Sequence, residues 1–180
     1  EATNRVEKQL SELGMEPEDR CVVKPARQKA QQRRDAGKGH KGVFCGAALE
    51  LPGGEIVTGG NSRLLHAESA VLLNAIKRLA DIPDDIDLLP PEVIESISDL
   101  RSSLAEGSPS LDLEETLIAL AVSAISNPVA RVGMQKLEEL SGCELHVTHM
   151  PTHGDEEGLR KIGVNYTTDG ELTIQNFVAI

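Results

Sequence analysis

One stretch limits what this chain can fold into: His66-Ala67-Glu68-Ser69-Ala70-Val71-Leu72-Leu73-Asn74-Ala75-Ile76, within a helix expected over about 63–80. With Leu64, Leu65 and Leu79, its apolar residues cover most of the helical circumference. A helix apolar nearly all round has to be buried between layers. What precedes it supplies one of those layers. Val43 to Leu51 is an apolar run of strand length, Leu51-Pro52-Gly53-Gly54-Glu55 is a turn, and Glu55 to Thr58 is the return strand. This is a β-hairpin, joined to the helix by Gly59-Gly60-Asn61-Ser62.

Other elements follow from periodicity and breakers. Residues 3–13 read as a short helix, and Pro17 suits the start of a second, which Pro25 is expected to kink or interrupt. Ile86 to Leu89 reads as a short strand. Pro90-Pro91 opens a helix to about Leu104, with Val93, Ile94, Ile97 and Leu100 inward. Leu111 to Ser126 is a helix with a Leu113, Leu117, Leu120, Ala121, Ala124 stripe. Asn127-Pro128 caps and starts another, to about Leu140, and the two make a hairpin. Cys143 to His149 and Val164 to Thr168 are strands flanking a helix over Asp155 to Ile162. Residues 169–180 are a further edge strand or a tail. Strands alternating with helices indicate an α/β fold, here a three-layer α/β/α sandwich on a mixed sheet. It divides into a helical segment, 1–40, and an α/β domain, 41–180, with the helical hairpin at about 111–140 as an insertion.

The core must be aliphatic, since aromatic residues are 2% of the 180 and Trp is absent. A formal charge of −11 argues against general nucleic-acid binding, which needs a cationic surface. Seven basic residues do gather between Lys24 and Lys41 (Lys24, Arg27, Lys29, Arg33, Arg34, Lys38, Lys41), as a solvated helix face or a clamp for a phosphorylated ligand or an acidic neighbouring domain. No run is apolar and long enough to span a bilayer. Three cysteines without framework spacing suit reduced thiols in the cytoplasm. A start at Glu1 on helix-like sequence suggests a piece of a longer protein.

Gly46-Ala47-Ala48-Leu49, Gly54, Thr58-Gly59-x-Asn61 and His66-Ala67-Glu68 resemble, in order, the first half of a cytidine-deaminase-type domain. The resemblance implies that topology with added helices, a zinc-binding His66 and a proton-shuttling Glu68. It also requires a Pro-Cys-x-x-Cys helix, and the chain has no Cys-x-x-Cys. The two stretches considered for that helix, Ile86 to Glu92 and Asn127 to Val132, supply no thiolate. Arg63 stands where a ribose-holding Glu would follow Asn61. A second resemblance covers almost the whole chain. Ile56-Val57-Thr58-Gly59-x-Asn61-Ser62, Leu72 to Lys77, Leu111-x-x-Glu114-Glu115-x-Leu117 and Asp155-Glu156-x-x-Leu159-Arg160 are similar to the C-terminal part of the bacterial family called domain of unknown function 1846. It implies a missing N-terminal region with a phosphate-loop-like segment.

The candidate catalytic residues are therefore His66 and Glu68, and the candidate ligand-binding residues Asn61, Ser62, His149 and His153. No metal ligand set and no cofactor are expected. Strand alternation sets His146 on the face opposite Cys143 and His149. Asp155-Glu156-Glu157 reads as acids at a helix start. Three functions remain open. One is a non-catalytic ligand-sensing or assembly module of a nucleotide-handling protein. Another is an enzyme with an atypical metal or acid/base site at His66 and Glu68. The last is a purely structural oligomerisation domain. The expected partners are the missing N-terminal region, a second copy in a homo-oligomer and a small phosphorylated ligand, with no nucleic acid and no membrane.

Overall fold

The structure is a computed structural model that describes residues 12, 14–104 and 110–169, apart from the side chain of residue 104. The helix expected at 3–13 and the tail beyond 169 lie largely outside these residues.

The expected hairpin is present. β1 (Gly46–Glu50) pairs antiparallel with β2 (Ile56–Gly60), in the register Gly46 to Gly60 and Glu50 to Ile56. β1 also pairs antiparallel with β3 (Glu144–Val147), which runs parallel to β4 (Asn165–Thr168). The order across this mixed sheet is β2-β1-β3-β4. β2 and β3 therefore run the same way, and their carboxyl ends lie together beside the start of β1.

Helices cover both faces. α1 (Val23–Asp35) packs on β1, β2 and β3, and α2 (Ala67–Leu79) packs on β1 and β2 from the other side. Two glycines permit this closeness: a Cβ on Gly46 would overlap the α1 backbone at Ala26 and Ala30, and one on Gly59 the α2 backbone at Val71. α2 is buried along most of its length, as an all-round apolar helix must be. The main core joins Leu49, Val71, Leu72 and Ile76 to Leu113, Leu120, Leu140, Leu145 and Leu159. α3 (Pro91–Leu104), α4 (Leu113–Ser123), α5 (Pro128–Met134) and α6 (His153–Ile162) complete the helices, and α4 packs against both α5 and α6.

Four local expectations change. Pro25 does not break α1, because it is the third residue of the helix, where the backbone amide has no carbonyl to reach anyway. Ile86 to Leu89 is not a strand but an irregular segment that buries Leu88 and Leu89. Leu100, expected inward, is 59% exposed. Asn127 caps α5 as expected, accepting from the amides of Val129 and Ala130, but that helix ends at Met134 and gives way to a 3-10 turn, Leu137–Leu140. Among the described residues no helix is long and apolar enough to cross a membrane.

Candidate active site

The carboxyl ends of β2 and β3 each lead into a helix, and those two helix starts meet. His66 is the N-cap of α2, with extended backbone, so Glu68 falls in the first turn. The backbone of 64–66 pairs with that of Leu111: the Leu111 amide donates to the Leu64 carbonyl (2.9 Å) and the His66 amide to the Leu111 carbonyl (2.9 Å). This brings the start of α4 alongside. α6 opens on Thr152, whose hydroxyl accepts from the Asp155 amide while the Asp155 carboxylate accepts from the Thr152 amide, a reciprocal cap. Gly154 allows α6 to reach the α4 N-cap, since a Cβ there would overlap the Asp112 carboxylate. Three helix N-termini converge, and their positive ends favour carboxylates.

Asp155 is the centre of the resulting network. It is fully buried. Its Oδ1 accepts from the Leu113 amide (2.8 Å). Its Oδ2 accepts from the Thr152 hydroxyl (2.6 Å) and meets His66 Nδ1 at 2.8 Å. Beside it lies Glu68, also fully buried, with neither carboxylate oxygen in hydrogen-bond geometry with any protein group. His149 Nε2 stands 3.3 Å from Glu68 Oε1, out of line for a hydrogen bond, and His149 Nδ1 has no protein partner. One ligand-capable atom each from His66, Glu68 and Asp155 lies within 4.8 Å of the others.

The four titrating groups sort into two pairs. Burial works against charge on both His66 and Asp155, but their mutual hydrogen bond outweighs it, so His66 is raised and Asp155 lowered. Burial pushes Glu68 well above the ordinary carboxylate range, and the Asp155 charge adds to this. Burial lowers His149 to about 4, against the pull of Asp155. An ion pair and a neutral acid–imidazole pair thus sit side by side. Such opposed shifts in one cluster mark a site suited to proton transfer. The Cys45 thiol, near enough for Glu68 and Asp155 to act on it, is pushed up to about 12, mostly by burial, and stays protonated.

His66 is the opening of the site, with its side chain 16% exposed against 0% for Asp155. Charges of both signs surround it: burial lowers His40, with Lys41 and Arg63 adding to the effect, while Asp112 and Arg101 act on His66 in opposite senses. Two surface clefts lie elsewhere, on the outer face of α1 and along β2.

The other candidates fall as follows. The Asn61 amide group is engaged with backbone, accepting from the Cys45 amide (2.8 Å) and donating to the Val43 carbonyl (3.0 Å). The Ser62 hydroxyl accepts from the amides of Leu64 and Leu65 at 3.1 Å. Both shape the loop that delivers His66. His153 is exposed at the first position of α6. His146 is on the opposite face, as expected, with its Nδ1 2.9 Å from the Thr167 hydroxyl. Sequence reasoning missed Asp155 as a site residue, and Thr152 altogether. The available signal was Pro151-Thr152-x-x-Asp155 directly after a strand.

A family model described as "Domain of unknown function DUF1846, C-terminal" matches residues 18–177. A UPF0371 protein of Clostridioides difficile is 41% identical over 177 residues, covering 97% of this chain and 35% of the relative. A UPF0371 protein of Clostridium tetani is 40% identical over 164 residues (90% and 32%), and one of Fusobacterium nucleatum 37% identical over 180 residues (98% and 36%). The chain spans about a third of the length of these relatives.

Proposed function

Given that this chain belongs to the DUF1846 C-terminal family, we propose that it is a deaminase-like domain rebuilt as an acid–base site for a small phosphorylated ligand, within a longer protein that helps close the site. The observation carrying this reading is the meeting of His66-x-Glu68 with Pro151-Thr152-x-x-Asp155 at two adjacent helix starts. The strand order, with β1 antiparallel to both neighbours and a helix after each of β2 and β3, supports the topological likeness. In that likeness Thr152 and Asp155 take the places of the two cysteines in Pro-Cys-x-x-Cys. The thiolate ligation of the deaminases is absent here, because a neutral hydroxyl and a carboxylate replace both sulfurs, and the acid–base chemistry is derived without a metal.

The remaining chemistry belongs to the side chains. Asp155 orients His66 and supports its positive charge, which attracts an anion at the opening together with Arg63 and Lys41. Glu68, neutral in its closed setting, donates a proton inward of that anion, with His149 as the neighbouring base. A thermal-shift comparison of nucleoside monophosphates with the matching nucleosides tests this. The phosphorylated members are expected to raise the melting temperature, by ligand linkage. Arg63→Ala, at a side chain 73% exposed, is expected to abolish the rise without altering the unliganded protein. Equal responses to nucleotide and nucleoside, or none in a full-length relative, would end the proposal.

A second reading, assembly through a homo-oligomer, is favoured by one observation. Ile118, Val122 and Ile125 are 61%, 58% and 76% exposed along the outer face of α4 and the turn after it. Such a stripe fits a second copy of the chain.

A further inference from the structure

We propose that the polar centre holds one divalent transition-metal cation, ligated by His66, Glu68 and Asp155. This inference shares its residues with the acid–base reading and concerns what occupies the space between them. Three observations carry it.

Glu68 is fully buried, and neither of its side-chain oxygens is in hydrogen-bond geometry with a protein group. A buried carboxyl without partners is costly in either protonation state, and a cation that displaces its proton would satisfy both oxygens. The ligand-capable atoms of His66, Glu68 and Asp155 are already gathered within 4.8 Å. Finally, Asp155 has the support expected of a ligating carboxylate. Its orientation is fixed by the Leu113 amide and the Thr152 hydroxyl, the kind of outer partner that holds a ligand in place.

The donors decide the class of ion. One imidazole and two carboxylates, with room for water to complete the set, suit zinc, manganese or iron(II) better than calcium or magnesium, which prefer all-oxygen sites. Two carboxylates also offset the positive helix ends, which would otherwise repel a cation. His66 Nδ1 and Asp155 Oδ2, 2.8 Å apart, must separate by roughly half an ångström to become neighbouring ligands. His66 is the partly exposed member of that pair, so it is the one with room to turn.

The test uses the 180-residue chain stripped with chelator and titrated with Zn²⁺ or Mn²⁺ alone, in a Cys21→Ser background that removes the exposed thiol. One equivalent of metal should bind in calorimetry and raise the melting temperature by several degrees. Co²⁺ should give the visible absorption of a nitrogen–oxygen site. Glu68→Gln, close to isosteric, should weaken binding at least tenfold while the stripped variant keeps its far-ultraviolet circular dichroism. Asp155→Asn should do the same where it folds, and Glu68→Gln decides the matter where it does not. Absence of stoichiometric binding overturns the proposal, as does binding that Glu68→Gln leaves unchanged. The two readings separate cleanly: a nucleotide-specific thermal shift without metal binding leaves the acid–base site standing, and metal binding without that shift removes it alone.

Discussion

Asp155 combines two tasks that a sequence keeps apart. As the third residue of α6 it closes a reciprocal cap with Thr152, and through its other contacts it holds His66 and the first amide of α4. Truncation would strand the buried Leu113 amide, the Thr152 hydroxyl and the half-buried His66 imidazolium at once. Asp155→Ala is expected to cost about 3–5 kcal/mol, as loss of one partner from a buried pair does, read as a urea midpoint shift. Asp155→Asn, which keeps the shape but not the charge, should cost about 1–3 kcal/mol. Gly154, next to it, makes a sharper prediction. Gly154→Ala pushes a methyl into the Asp112 carboxylate and should cost about 1–3 kcal/mol, whereas Gly53→Ala, with open space around it, should stay within about 0.5 kcal/mol. His66 and Glu68 were legible from their motif. Asp155 was not, because an acid near a helix start is the ordinary helix-dipole pattern, and what singles this one out comes from a residue far away in sequence.

At the level of elements, β4 is a four-residue strand at the edge of the described sheet, paired with β3 and packed on the core through Tyr166, and an ion pair just past its end ties it to α1. Arg27 from α1 pairs with Asp169, just past β4, at 2.7 Å, and His146 Nε2 lies 3.3 Å from the same carboxylate. Burial opposes the Asp169 charge, but these two neighbours outweigh it and hold the carboxyl below its usual range. A carboxyl depressed in the folded state stabilises above its unfolded value of about 3.9 and loses that contribution as pH falls through the folded value. Asp169→Asn should therefore cost about 1 kcal/mol at neutral pH, a figure reduced for partial exposure. The gap to the parent should begin to narrow below about pH 4 and close only as pH falls through the depressed folded value. Urea denaturation at pH 7 and at a descending series below pH 4 checks both halves. The basic stretch from Lys24 thus spends at least Arg27 on the fold, and Arg33 packs over Gly60. Lys41 is left at the rim of the site.

Over the whole molecule, the α4 stripe has two sides with different fates. Leu120 is fully buried and Val122 is 58% exposed. Leu120→Asp should unfold the domain, since it places a charge in the core. Val122→Asp should leave the melting temperature nearly unchanged and, if a second copy covers this face, convert an oligomer to a monomer in light scattering. Local information sufficed for much of this architecture. Turn glycines and prolines set the β1–β2 hairpin, the all-round apolar pattern buried α2, and Asn127-Pro128 opened α5, because each depends on neighbours a few residues apart. Local information failed at Ile86–Leu89, where burial of Leu88 and Leu89 imitates a strand but no partner strand is there to supply hydrogen bonds. The sequence by itself determined which segments could be helices or strands and which had to be covered. Only the tertiary structure decided that β3 pairs with β1, which sets the α6 start against the α2 start and joins His66 to Asp155 across 89 positions. Strand pairing is a contest among distant backbone partners, and no local pattern records its outcome.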